Sequence, residues 1–186
     1  MVNTGYAPGD HPARWSPTSY SPFGDLGSAE LAEGALVANG PWFADLDASV
    51  SVELKSMGGA GDLALAAGMV FRLNDRGYYA VIVTATGSRE MSFKLVKKYH
   101  FEQHARDLSP WTAVAVSELI AGSQKKIAIR CRGPRISFVV QNQAVAKLED
   151  PDFDEGLIGM VLYGTGRAIF RDLVAEESCD SRRAVE

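Results

Sequence analysis

Apolar and polar residues alternate with period two along most of the chain beyond residue 48. In Ala48–Lys55, Val50, Val52 and Leu54 alternate with Ser49, Ser51, Glu53 and Lys55. In Ala67–Leu73, Met69, Phe71 and Leu73 alternate with Val70 and Arg72. Tyr79, Val81 and Val83 then alternate with Tyr78, Ala80, Ile82 and Thr84, and Met91, Phe93 and Leu95 with Ser92, Lys94 and Val96. The same rhythm returns at Ile127, Ile129 and Cys131, and at Ile136, Phe138 and Val140. It closes with the runs Leu157–Tyr163 and Ala168–Val174. Period-two alternation predicts strands with one buried face.

Turn signals separate the runs: Asn74-Asp75-Arg76-Gly77, Gly133-Pro134, Asn142-Gln143 and Gly164-Thr165-Gly166. Strands at this spacing predict an all-β, antiparallel two-sheet sandwich of jelly-roll type. Thr112–Gly122 tempts a helix, but Val114 and Val116 alternate, so it reads as a strand leading into a loop. Before the first run, Pro8, Pro12, Pro17 and Pro22 mark an irregular arm. Proline fixes φ and cannot donate to a strand ladder. Ser28–Gly34 reads as a short helical turn. The expected organisation is an arm over 1–33, a sandwich over 34–176 and a polar tail over 177–186.

Composition narrows the partners. The 186 residues carry a formal net charge of −4, with 46% apolar and 23% charged residues. That size suits one domain with its own core. Acidic balance argues against nucleic acid, which requires a basic surface. The small clusters Lys97-Lys98, Lys125-Lys126 and Arg130/Arg132 read as solvated strand faces. No apolar run reaches membrane-spanning length and no signal peptide is apparent, so the expected location is cytoplasmic or left open, since an excised domain would read the same way. Of the two cysteines, Cys131 is expected as a buried thiol and Cys179 as an exposed one.

Several pieces in order then carry a resemblance: Gly68-Met69-Val70-Phe71-Arg72, Gly77-Tyr78-Tyr79-Ala80-Val81, Gly156-Leu157-Ile158-Gly159 and Phe170-Arg171-Asp172-Leu173. Over residues 34 to 176 the chain resembles the concanavalin A-like lectin/glucanase superfamily, near its laminin-G-like and 3-keto-disaccharide hydrolase branches. The resemblance implies two stacked sheets with a ligand across the concave face or its rim. It also implies a structural calcium between the terminal strands, for which Asp172 is the candidate ligand. The Glu-x-Asp-x-x-Glu strand of the glucanases is absent, so their chemistry is not implied.

Glu53, Arg72, Tyr78 and Lys94 have strand parity opposite to the large apolar residues and are expected to face away from the core. On neighbouring strands they would line one groove, where carboxylate and guanidinium fork onto sugar hydroxyls and Tyr78 stacks on a sugar ring. The alternative is a cross-strand ion-pair ladder on a solvated face. Trp111 is either a sugar platform or loop packing. His100-Phe101-Glu102-Gln103-His104 lacks the glutamate placement of a zinc-protease helix. Asp150, Asp152 and Asp154 have calcium-loop spacing, but Glu155 and Val161 replace the required glycine and glutamate, so a solvated acidic turn is expected.

Three functions follow: a carbohydrate-binding domain, a glycoside-processing enzyme with Glu53 or His100 as acid or base, or a protein-interaction module. The expected partner is a saccharide, another small polar ligand or a protein. The expected state is a monomer or an arm-swapped dimer, with no cofactor other than that calcium.

Overall fold

Each alternating run becomes a strand in the computed structural model, which describes residues 28–32, 36–38, 41–55, 66–85, 90–115, 125–141, 143–163 and 167–177. The arm over 1–27, the Gly164–Gly166 turn, Asn142 and Cys179 lie outside the described residues. The strands in chain order are β1 (Ser28–Ala32), β2 (Leu36–Ala38), β3 (Leu46–Lys55), β4 (Ala66–Leu73) and β5 (Gly77–Ala85). There follow β6 (Glu90–Tyr99), β7 (Arg106–Asp107), β8 (Thr112–Ala115), β9 (Lys125–Arg132) and β10 (Arg135–Val140). The last are β11 (Gln143–Glu149), β12 (Leu157–Tyr163) and β13 (Arg167–Glu177).

They form two antiparallel sheets. One has six strands in the order β1-β13-β3-β9-β10-β11; the other runs β2-β12-β4-β5-β6-β7, with β8 also pairing β6. The expected all-β jelly-roll sandwich is the fold observed. Inward residues of both sheets, among them Val50, Met69, Phe93, Ile127, Phe138 and Phe170, make the core. Cys131 is buried there as expected, and burial pushes its thiol pKa up to about 12.

Ser28–Ala32 corrects the helical expectation. It is an edge strand paired residue for residue with β13. Nothing local in Ser-Ala-Glu-Leu-Ala favours a strand; the free edge of β13 supplies the partner, and pairing overrides propensity.

Arg72 is the second correction. Between Val70 and Leu73 the β4–β12 register slips, with Leu157 opposite Leu73 and Gly159 opposite Val70. The extra residue makes a bulge, and Arg72 adopts φ +50°, the left-handed region, at a cost of about 1–2 kcal/mol for a non-glycine residue. Parity therefore inverts. Leu73 joins the outer apolar cluster of its sheet, and the Arg72 side chain turns in to a position 1% exposed. There Nη1 donates to the Phe153 carbonyl at 3.0 Å, and Nη2 donates to those of Ala44 at 2.7 Å and Gly133 at 2.8 Å. One guanidinium thus ties together the segment before β3, the β9–β10 turn and the β11–β12 connection. Gly156 lies against the bulge. A Cβ there would sit 2.5 Å from the Leu73 carbonyl oxygen, so only glycine fits.

Arg72→Met should destabilise the protein by about 3–5 kcal/mol in chemical denaturation, because three carbonyls lose a charged donor. Arg72→Gly relieves the backbone strain and should recover only the smaller, conformational part of that loss. Equal stability of Arg72→Gly and the parent would show that the three hydrogen bonds contribute no more than the backbone strain they offset.

Candidate functional site

The two sheets separate the residues expected in one groove. Tyr78, Lys94 and Trp111 lie on the outer face of the seven-stranded sheet. Glu53 lies on the six-stranded sheet, in an ion pair with Arg171 at 3.1 Å, and Arg72 is inside. Parity assigns a face within each strand; it does not say which sheet holds the strand.

The face bearing Tyr78 is largely closed to solvent. Val70 and Ala80 are fully buried there, with Val96, Leu157 and Val161 nearly so. The Tyr78 and Tyr163 hydroxyls hydrogen-bond at 2.8 Å, and burial raises both phenol pKa values. Nearer the edge, the Lys94 ammonium pairs with Asp107 at 2.6 Å and lies 4.8 Å from the ring centre of Trp111, which is 43% exposed. His100 sits in the turn after β6, where its Nε2 contacts the Asn74 carbonyl at 2.8 Å.

The six-stranded sheet carries an open trough of about 570 Å³ on its outer face, within the range of small-molecule sites. Its floor follows from strand register. Val174 pairs with Ser49, Ser49 with Ala128, Ala128 with Val139, and Val139 with Ala144, so one row of small side chains crosses five strands. The row on one side reads Glu176, Asp47, Arg130, Ser137 and Lys147 by the same pairings. On the other side Ser51 pairs with Lys126. A flat, weakly apolar strip is thereby bordered by hydrogen-bonding and charged groups. Small residues on outward positions were the available signal for this strip, but Ser and Ala at such positions draw no attention without the register.

Asp47 is the fixed charge of the trough. It accepts from Arg130 Nε at 2.9 Å and Arg132 Nη2 at 2.6 Å. Burial pulls its pKa up, but the hydrogen bonds and charges of the two arginines outweigh burial and hold the carboxyl below its ordinary value. Asp47 is therefore a permanent acceptor and a poor proton donor near neutral pH.

Asp150 and Asp152 are not a solvated turn. The Lys97 ammonium, 7% exposed, donates to Asp150 at 2.6 Å and to Asp152 at 2.5 Å. Tyr79 donates to Asp150 at 2.6 Å and Tyr99 donates to Asp152. Phe153, fully buried, packs its ring against Tyr79 and Tyr99. This network seals the end of the core that Arg72 also closes, and it corrects the reading of Lys97 as a solvated strand-face residue. Asp154 stands apart, 3.8 Å from Arg76. Asp172 is exposed in a β13 bulge at φ +54°. Among the described residues no three carboxylate, histidine or cysteine side chains converge as metal ligands.

No protein-family model matches the chain, and no curated protein does. Solved structures share its fold. A carbohydrate-binding module, CBM66, from Bacillus subtilis is 17% identical with a TM-score of 0.57, over 81% of this chain and 83% of that one. A functionally unknown protein from Saccharomyces cerevisiae is 14% identical with a TM-score of 0.51, over 90% of this chain and 84% of that one. A xylan beta-1,4-xylosidase from Bacillus halodurans is 11% identical with a TM-score of 0.56, over 81% of this chain and 33% of that one. The likeness to the xylosidase thus concerns one third of its length.

The sealed end predicts a pH signature. Hydrogen bonds from Lys97 and Tyr99 lower the pKa of Asp152, so its contribution is complete above the unfolded carboxylate range and is lost as pH falls. Burial works against the Lys97 ammonium, but the hydrogen bonds to Asp150 and Asp152 raise its pKa overall. Its contribution is present below the unfolded lysine pKa and is lost as pH rises through the folded one. Lys97→Met removes the ammonium whose hydrogen bond and charge lower the Asp152 pKa, so that carboxyl moves back up in the fold. Denaturation midpoints of the parent should fall from pH 6 to pH 3, and those of Lys97→Met should fall less. Parallel profiles would contradict the charge assignment.

Proposed function

We propose that this protein is a non-catalytic carbohydrate-binding domain of the concanavalin A-like type, with the trough on its six-stranded sheet as the saccharide site. The observation that carries the reading is the trough itself. A strip of small side chains offers van der Waals contact to the apolar face of a sugar ring, while Asp47, Arg130, Ser137, Lys126 and Lys147 offer acceptors and donors to ring hydroxyls along both borders. The shared fold with a carbohydrate-binding module over most of both chains supports it. Fold alone does not assign function, so the weight rests on the trough.

The chemistry of the trough favours binding over turnover. Glycoside hydrolysis needs a carboxyl held protonated as general acid. Asp47 is held ionised by two arginines. Glu53 is engaged by Arg171, and His100 lies in a turn of the other sheet. The exposed Trp111 beside Lys94 supports one competing location, a sugar platform at the edge of the seven-stranded sheet.

A thermal-shift and calorimetric screen of neutral and acidic oligosaccharides tests the reading. A ligand at one hundred times its dissociation constant stabilises the fold by about 2.7 kcal/mol. Ala128→Trp fills the trough from an outward position and should abolish binding while the protein stays folded; Trp111→Ala should leave binding intact. The reverse pattern would move the site to the other sheet. A well-folded protein with no saccharide hit would favour a protein-interaction module.

A further inference from the structure

The trough is not electrically uniform. Its β13–β3 end carries Glu176 and Asp47, whereas its β9–β11 end carries Lys126, Arg130 and Lys147. Beyond that end it continues into a second hollow of about 510 Å³, which shares Arg130, Ser137 and Lys147 and adds Arg132, Arg135 and Glu149. The two hollows together hold five cations, Lys126, Arg130, Arg132, Arg135 and Lys147, against three carboxylates, Asp47, Glu149 and Glu176. This local excess sits on a chain whose formal net charge is −4.

The pairing leaves donors over. Arg130 and Arg135 each meet their carboxylate through Nε, at 2.9 Å in both cases, and remain mostly exposed. Among the described residues their terminal Nη groups make no hydrogen bond, which leaves them available to a planar anion. Lys126 and Lys147 are exposed and, among the described residues, have no ion-pair partner. Asp47 and Glu149 hold the arginines in place without neutralising the lysines.

We propose that the trough selects an acidic saccharide, a uronic acid oligomer whose carboxylates meet Lys126, Lys147 and the exposed guanidiniums of Arg130 and Arg135. This rests on the trough being a saccharide site. The floor takes the pyranose faces, and the basic end takes the charge. The Glu176 end sets the direction of the chain, because a carboxylate placed over Glu176 meets a like charge.

The test uses oligogalacturonate and the same oligomer as its methyl ester, which differ in charge and not in ring. Calorimetry at low ionic strength should show the acid binding at least about tenfold more tightly than the ester, with the difference shrinking as salt is added. Arg135→Gln, in the second hollow and outside the saccharide floor, should narrow the ratio of acid to ester affinity, and Lys126→Gln together with Lys147→Gln should narrow it further; a ratio unchanged in both variants overturns the proposal. Equal binding of acid and ester by the parent protein overturns the proposal and leaves the saccharide reading standing. Binding of neither oligomer, with neutral glucans and xylans also failing, overturns both. Poly-glutamate binding as tightly as the uronate would show plain charge attraction and would also overturn the proposal.

Discussion

A single buried guanidinium holds one end of this sandwich together. Arg72 reaches three carbonyls from segments far apart in the chain, and each belongs to a connection at the same end of the core. Among the described residues no carboxylate pairs with it, so its charge is balanced by carbonyl dipoles alone. That arrangement requires the side chain to point inward from a strand whose alternation points it outward. The β4 bulge and the left-handed backbone at Arg72 make the inversion, and Gly156 supplies the room beside it. Lys97 completes the closure by drawing two aspartates of the β11–β12 connection onto the sheet. The Lys97 ammonium is buried against two carboxylates that accept its hydrogen bonds, which offsets the cost of taking the charge out of water.

The fold was legible because its determinants are local. Alternating runs such as Val50-Ser51-Val52 and Ile127-Ala128-Ile129 fix which side of a strand is wet, and Asn74 to Gly77 marks a reversal. The site was less legible, for reasons specific to its residues. Tyr78 and Lys94 do share a face, as their parity says, but Glu53 has the same parity in the other sheet. Arg72 fails because a bulge shifts parity by one, and nothing in Met-Val-Phe-Arg-Leu announces a bulge. The Asp150-Asp152 pair reads as solvent-facing until the partner of Tyr79 across β5–β6 is known to be Lys97. Ser28–Ala32 pairs with an edge that no local pattern reveals.

These placements give the two outer faces different characters. The face carrying Tyr78 and Tyr163 is apolar at its centre and closed to water, so it contributes to stability. The opposite face keeps a continuous row of Ser, Ala and Val side chains with its charges at the borders. The hydrogen-bonded arginines hold Asp47 in its ionised form, which makes it a poor general acid.

The proposed ligand site is the six-stranded face rather than the surface beside Trp111. Backbone amide resonances followed during titration with oligogalacturonate test it directly. The account predicts shifts concentrated in β3, β9 and β10 around Ser49, Ala128 and Val139, with Tyr78, Lys94 and Trp111 unmoved. Shifts centred on Trp111 and Lys94, or no shifts at saturating oligomer, would contradict it.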